Sequence, residues 1–189
     1  MESWINSQTK STLYKDSFTP RKYFEGKHLQ TVYNVLFPPD NVLEEDFFCE
    51  SIIIPTLDDT KDHLWLEHNP PLSKIKKQSV KWNGCYIVLI HGMEGSSESH
   101  YMVSVGKEAL LRGYGVIRMN LRNCGRGLKL AKKPYNAGQS EDLDAVLRYV
   151  QMNFTDKYFV CGCSLSANLV LKYFGENRRY KAIGFSATS

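Results

Sequence analysis

An α/β fold, with a mostly parallel sheet and helices on both faces, is what this sequence predicts, and three observations carry the prediction. Apolar, β-branched runs alternate with helical patterns from about residue 85 onward. The first of these runs, 85–90, is apolar throughout, as a strand buried on both faces of a parallel sheet must be. After Ser140, the residues Leu143, Val146, Leu147 and Val150 repeat at i, i+3, i+4 and i+7, which puts them on one face of a helix.

The elements follow in order. The first forty residues, with Pro20, Pro38 and Pro39, read as an extended arm with one or two short helical turns. Residues 1–45 are therefore set apart as an N-terminal arm, and 46–189 as the α/β core. Segments 47–55 and 63–67 predict an antiparallel pair joined by Leu57-Asp58-Asp59-Thr60, and 69–83 a charged loop. After the 85–90 strand, Met102, Val105, Ala109 and Leu110 share a helix face that ends at Gly113, and 116–121 is the next strand. Glu141 and Asp142 favour the N-terminus of the helix after Ser140. Residues 157–161 then form a strand, 165–174 a helix closed by Gly175, and 182–186 a last strand.

Composition removes several function classes. With 189 residues, 42% hydrophobic and 23% charged, the chain can build one sizeable core. A net charge of +4 is mild, and the basic clusters at 74–77 and 126–133 lack the aromatic platform of a nucleic-acid site, so they read as solvated loops. The second cluster follows the 116–121 strand, where it could draw an anionic substrate, or transiently a membrane surface, toward a site mouth. Five cysteines, at 49, 85, 124, 161 and 163, have no CxxC spacing and read as reduced thiols of a cytoplasmic protein rather than a disulfide frame or zinc site. No apolar run approaches the length of a membrane span, and the first eighteen residues lack the apolar core of a signal peptide. Gly113-Tyr114-Gly115 has no third glycine opening a helix, which argues against a nucleotide fold.

The chemistry is written at 162–166, Gly162-Cys163-Ser164-Leu165-Ser166, which joins the 157–161 run directly to the next helix. A serine at an abrupt strand-to-helix turn is presented on a sharp corner with its hydroxyl outward, the mounting of a nucleophile. The same serine would also serve as a plain helix N-cap. Gly162 meets the need for a small residue before the corner; after it, Ser166 stands where a glycine is usual. Upstream, the 85–90 strand ends in His91-Gly92-Met93-Glu94-Gly95. Read alone this is a βα turn; paired with the serine corner, it offers backbone N–H groups of Met93 and Leu165 as an oxyanion hole.

These motifs together resemble the YheT-like branch of the α/β-hydrolases. The likeness rests on 91–101 (His91 to Tyr101), 119–124 (Met119 to Cys124), 135–143 (Tyr135 to Leu143) and 162–168 (Gly162 to Asn168), and includes the early Phe18-Thr19-Pro20 and 26–31 segments. It implies an α/β-hydrolase fold and a carboxylic-ester hydrolase similar to medium-chain ethyl ester synthases and monoacylglycerol-type lipases. Ser164 would be the nucleophile, Met93 and Leu165 the oxyanion donors, and His91, Gly92, Gly162 and Ser166 would shape the site, with no metal or organic cofactor. The partner is a small-molecule ester of short- or medium-chain acyl type. Two departures stand out: the usual Arg-Gly-Cys is Arg122-Asn123-Cys124, and the second elbow glycine is Ser166.

The triad order in this fold is Ser, then Asp or Glu, then His. None of the 25 residues after Ser164 is Asp or His, and the histidines lie at 28, 63, 68, 91 and 100. The sequence thus reads as the N-terminal, C-terminally truncated portion of a hydrolase with about six of roughly eight strands. Without acid and base it is expected to have little activity alone, unless His28 or His100 is recruited as base rather than serving as a capping or packing residue. The alternative is a non-catalytic remnant or interaction protein that keeps the fold.

Overall fold

The structure, a computed structural model, describes residues 41–74, 80–177 and 185–188, together with Lys22, Tyr23, Leu29 and Phe37. Residues 1–39 form one compact unit and residues 40–189 another. The helical turns expected in the arm lie outside the described residues.

The second unit opens with a short helix, α1 (Val42–Glu45), whose Leu43 is fully buried. Among the described residues six strands follow: β1 (Glu50–Pro55), β2 (His63–Asn69), β3 (Tyr86–Ile90), β4 (Gly115–Met119), β5 (Tyr158–Cys163) and β6 (Phe185–Thr188). They form one sheet in the order β1-β2-β4-β3-β5-β6. The β1–β2 and β2–β4 pairs are antiparallel; β4–β3, β3–β5 and β5–β6 are parallel. Three further helices, α2 (His100–Leu111), α3 (Ser140–Asn153) and α4 (Leu165–Glu176), connect the parallel strands.

Side-chain alternation along the strands divides the core in two. Tyr86, Val88 and Ile90 of β3 pack with Leu143, Val146, Leu147 and Val150 of α3 and with Leu169, Val170 and Tyr173 of α4. On the other face, Leu89 packs with Val116, with Met102, Val103 and Leu110 of α2, and with Leu43 of α1. The predicted α/β architecture with helices on both faces is therefore present.

The differences from the sequence expectation have local causes. β2 runs on to Asn69 because Glu67, His68 and Asn69 pair with Arg118, Ile117 and Val116 of β4. β5 extends through Gly162 and Cys163, since Gly162 is held between Ile90 and Ala187. β4 stops at Met119: the Asn120 amide still bonds the Trp65 carbonyl of β2, but the Leu121 amide goes to the His91 ring. Gly175 does not close α4, which continues to Glu176 with a Lys172–Glu176 ion pair of 2.7 Å across its last turn. Val105, expected on the buried face of α2, is 45% exposed. α2 turns Val103, Gly106 and Leu110 toward β4 and α1, while Val105 faces an open apolar cavity of about 250 Å³ lined also by Leu89, Ile90, Tyr101, Met102 and β5 residues 161–163. The last strand, expected at 182–186, is described at Phe185–Thr188; residues 182–184 lie outside the described residues.

No disulfide joins the five cysteines, and each is partly buried. Arg126 is exposed in the basic loop, as expected, and also reaches Glu44 at 2.7 Å, Glu98 at 2.9 Å and Glu67 at 3.5 Å.

Candidate active site

Chain order reverses direction in the sheet at β3, because β4 is laid on one side of it and β5 on the other. Crevices at the C-terminal ends of strands at such a switch point are where α/β sheets bind ligands. The parallel register sets Ile90 beside Gly162, so the two chains leave the sheet side by side, β3 into the 91–95 turn and β5 into Ser164.

Ser164 is the single residue between β5 and α4, at φ 52° and ψ −115°. A positive φ is strained for any residue carrying a Cβ, and such strain is retained where the surroundings force it. Here they do. A Cβ on Gly162 would overlap the Ser166 carbonyl, so only glycine lets the start of α4 fold back this closely on the strand. A Cβ on Gly92 would lie 3.3 Å from both the Cys163 carbonyl oxygen and Ser164 Cβ, which places the β3 turn directly against the corner. Ser164 is exposed, and among the described residues no side chain hydrogen-bonds its hydroxyl.

Ser166 is fully buried, and its hydroxyl donates to the His91 carbonyl at 2.5 Å. The serine that replaces the usual glycine therefore ties the corner to the turn. His91, also fully buried, accepts the Leu121 amide at Nε2 (3.0 Å) and donates from Nδ1 to the Gly92 carbonyl (2.7 Å). Burial lowers its pKa, outweighing the bond to Gly92, so the ring is neutral with its proton on Nδ1. Both nitrogens are engaged, and His91 cannot take a proton from Ser164.

The two backbone donors predicted from the sequence flank the corner. Met93 is exposed in the turn beside Gly92, and the Leu165 amide opens α4, where the first N–H groups have no partner within the helix. Among the described residues, neither amide bonds to a protein acceptor. Three site neighbours carried no signal of their own in the sequence. Tyr101 accepts the Gly92 amide at 2.9 Å, Tyr135 accepts the Glu94 amide at 3.2 Å, and Asn120 brackets Ser97 through its amide at 2.8 Å and its hydroxyl at 2.9 Å. All three belong to the segments that carry the family resemblance, and that was the only available hint.

Of the other histidines, His68 bonds to Glu50 at 2.6 Å and to Tyr86 at 3.0 Å, at the start of β3 and thus the far end of the sheet. His100 stacks edge-on against Tyr101, and His28 lies outside the described residues. One gathering of metal-type donors occurs among the described residues, Glu44, Cys49 and Glu67, and Arg126 already pairs with both of its carboxylates.

Below the site, Arg122 is fully buried amid three carboxylates. It binds Asp142 in a fork (2.7 and 2.6 Å), Asp62 at 3.0 Å and Asp58 at 2.9 Å. Its neighbour Asn123 stands at φ 59°, where asparagine is the best substitute for glycine. The Asn123 side chain also accepts the Lys129 amide and donates to the Ala131 carbonyl.

The family model for the alpha/beta hydrolase fold matches residues 86–183, more than half of the chain. The chain belongs to the α/β hydrolase fold family. It is 28% identical to the putative esterase YheT of Escherichia coli over 72% of its own length and 37% of that protein's. To the medium-chain fatty acid ethyl ester synthase/esterase 2 of Saccharomyces cerevisiae it is 25% identical, over 54% of this chain and 23% of that one. The solved structure of XC6422 from Xanthomonas campestris, described as an a/b serine hydrolase without lid, superposes with a TM-score of 0.55 at 20% identity, covering 68% of this chain and 57% of that one. The chain thus spans only 37% and 23% of the length of these two curated relatives, and its likeness lies with the YheT type.

Proposed function

We propose that this α/β hydrolase carries the nucleophile and oxyanion hole of a serine esterase acting on carboxylic esters of short or medium acyl chain. The observation that carries the reading is Ser164, held at φ 52° between β5 and α4 with Gly92 against its Cβ. The Ser164 hydroxyl attacks the acyl carbon, and the Met93 and Leu165 amides bind the oxyanion of the tetrahedral intermediate. A serine hydroxyl is a weak nucleophile until a base takes its proton. His91 is locked, His68 is engaged at the other end of the sheet, and no described side chain bonds to Ser164. On this reading the described residues bring Ser164 no acid or base, and the chain alone turns esters over slowly unless His28 or His100 is recruited. No metal or organic cofactor enters these steps.

Fluorophosphonate labelling, given long reaction times because a serine without its base reacts slowly, tests the assignment: a label on the wild-type chain that is lost in Ser164→Ala supports it, and a label that survives the substitution refutes it. A second reading, a non-catalytic interaction protein on this fold, is favoured by the same unbonded serine. It predicts no Ser164-dependent labelling at all.

A further inference from the structure

The amides of the 91–95 turn are disposed of one by one. Gly92 N–H donates to the Tyr101 hydroxyl at 2.9 Å, Glu94 N–H to the Tyr135 hydroxyl at 3.2 Å, and Gly95 N–H to the Gly92 carbonyl at 3.1 Å. That leaves Met93 as the one amide from Gly92 to Gly95 without a protein acceptor among the described residues. The peptides on either side of it are each fixed by a phenol, and the phenols come from separate elements: Tyr101 from the first turn of α2, and Tyr135 from the stretch between β4 and α3.

We infer that Tyr101 and Tyr135 are positioning residues that clamp the turn from two sides and aim the Met93 amide at the oxyanion. The inference rests on the reading of Ser164 as nucleophile. The turn needs such a clamp because Glu94 stands at φ 59°, a conformation an L side chain adopts only when its surroundings impose it. Tyr101 is well placed to impose it. A Cβ on Gly95 would lie 3.1 Å from its hydroxyl, so the phenol sits across the turn. Burial raises the Tyr101 pKa, against the bond from Gly92, so the group stays a neutral phenol that accepts the amide and keeps a proton to donate. Tyr135 packs its ring against the core on the α3 side, which anchors the second hydroxyl independently of the first. A phenylalanine at either position keeps the ring and removes the hydroxyl, and with it the acceptor for the turn amide.

The experiment uses the full chain as wild type, Tyr101→Phe, Tyr135→Phe and the double variant. Amide hydrogen exchange of residues 92–95 is read by NMR, and fluorophosphonate labelling of Ser164 is resolved into reagent affinity and maximal rate. Losing an oxyanion donor outright slows catalysis by about 10²–10³-fold, and loosening one should give a smaller effect. Tyr101→Phe is expected to speed Gly92 exchange and Tyr135→Phe to speed Glu94 exchange, each at least about tenfold, and each to slow maximal labelling roughly 3- to 10-fold with reagent affinity unchanged, the double variant doing more. Unchanged exchange of Gly92 and Glu94 overturns the inference. So does faster exchange with an unaltered labelling rate, which would make the phenols purely structural. A wild-type chain that takes no label even at long reaction times refutes the nucleophile assignment instead, and the clamp then stands or falls on the exchange of Gly92 and Glu94 alone.

Discussion

Replacing Arg122 by leucine should be the most damaging single change outside the site, because of what it leaves behind. The guanidinium is fully buried and bonded to three carboxylates, with Asp142 held by both prongs of the fork. Leucine fills part of the volume but strands the Asp142 carboxylate, whose side chain is 2% exposed. Breaking a buried pair by removing one partner costs about 3–5 kcal/mol, most of it the desolvation of the charge that remains. In a chain of this size that is a fall in melting temperature of roughly 6–20 °C. Arg122→Lys should rescue little, since a point charge cannot serve three carboxylates through a planar fork.

The pH dependence supplies a sharper check. In the wild type, bonds from Thr60 and Thr56, with Arg122 in addition, hold Asp58 well below the usual carboxylate range. Its contribution is present above a pH of about 4, the unfolded value, and is lost as pH falls further. Burial already raises the Asp142 pKa against the pull of Arg122. With Arg122 gone that burial is unopposed, so the folded variant binds a proton more tightly than the unfolded chain. Stability is then lost as pH rises from the unfolded value through the folded one, and regained on acidification. Chemical denaturation of wild type and Arg122→Leu at pH 7 and pH 5 decides it. A deficit below about 1 kcal/mol at pH 7, or one that fails to shrink at pH 5, would refute the reasoning.

Gly162→Ala should abolish Ser164 labelling and lower the melting temperature, because the added methyl overlaps the Ser166 carbonyl; a variant that labels normally would show that the corner tolerates a side chain. Ser166→Ala removes the hydroxyl bonded to the His91 carbonyl and leaves that carbonyl unsatisfied, so denaturant titration should show a loss of about 1–3 kcal/mol. Among the described residues β6 pairs only with β5, and the α2 side of β5 opens onto an apolar cavity. An open edge beside apolar surface invites pairing with another chain. The isolated 189-residue polypeptide is expected to self-associate in size-exclusion chromatography, and a monodisperse monomer with a cooperative melt would count against this.

The parts legible in the sequence were those with a local cause. Leu143, Val146, Leu147 and Val150 announced α3 through their spacing, and all four are fully buried. The 85–90 run announced β3 because a strand covered on both faces has no polar side to interrupt it. What could not be read came from residues far apart in the chain. β2 reaches Asn69 only because β4 arrives to pair with it, and Val105 is exposed only because no described helix covers β5 on that side. The roles of Tyr101 and Tyr135 depend on hydroxyls meeting particular amides 9 and 41 residues away, and no periodicity encodes that.

The two departures from the family pattern show what such motifs stand for. At position 123 the requirement is a backbone at positive φ, and asparagine satisfies it at small cost while its amide bonds the following loop. At position 166 the requirement is a residue small enough for α4 to start against Gly162. Serine meets it, provided its buried hydroxyl finds an acceptor, and the His91 carbonyl is that acceptor. In neither place does the geometry demand glycine. At Gly162 it does, because there the clash would be with backbone that has nowhere to move. The difference between a tolerated and a forbidden substitution at this corner lies in whether the extra atoms meet a hydrogen-bond partner or a peptide. A serine at 166 should therefore leave Ser164 as well presented as a glycine would. Labelling rates of wild type and Ser166→Gly should agree within about threefold, a difference under 0.7 kcal/mol, and a marked gain in the glycine variant would show that the elbow is loosened here.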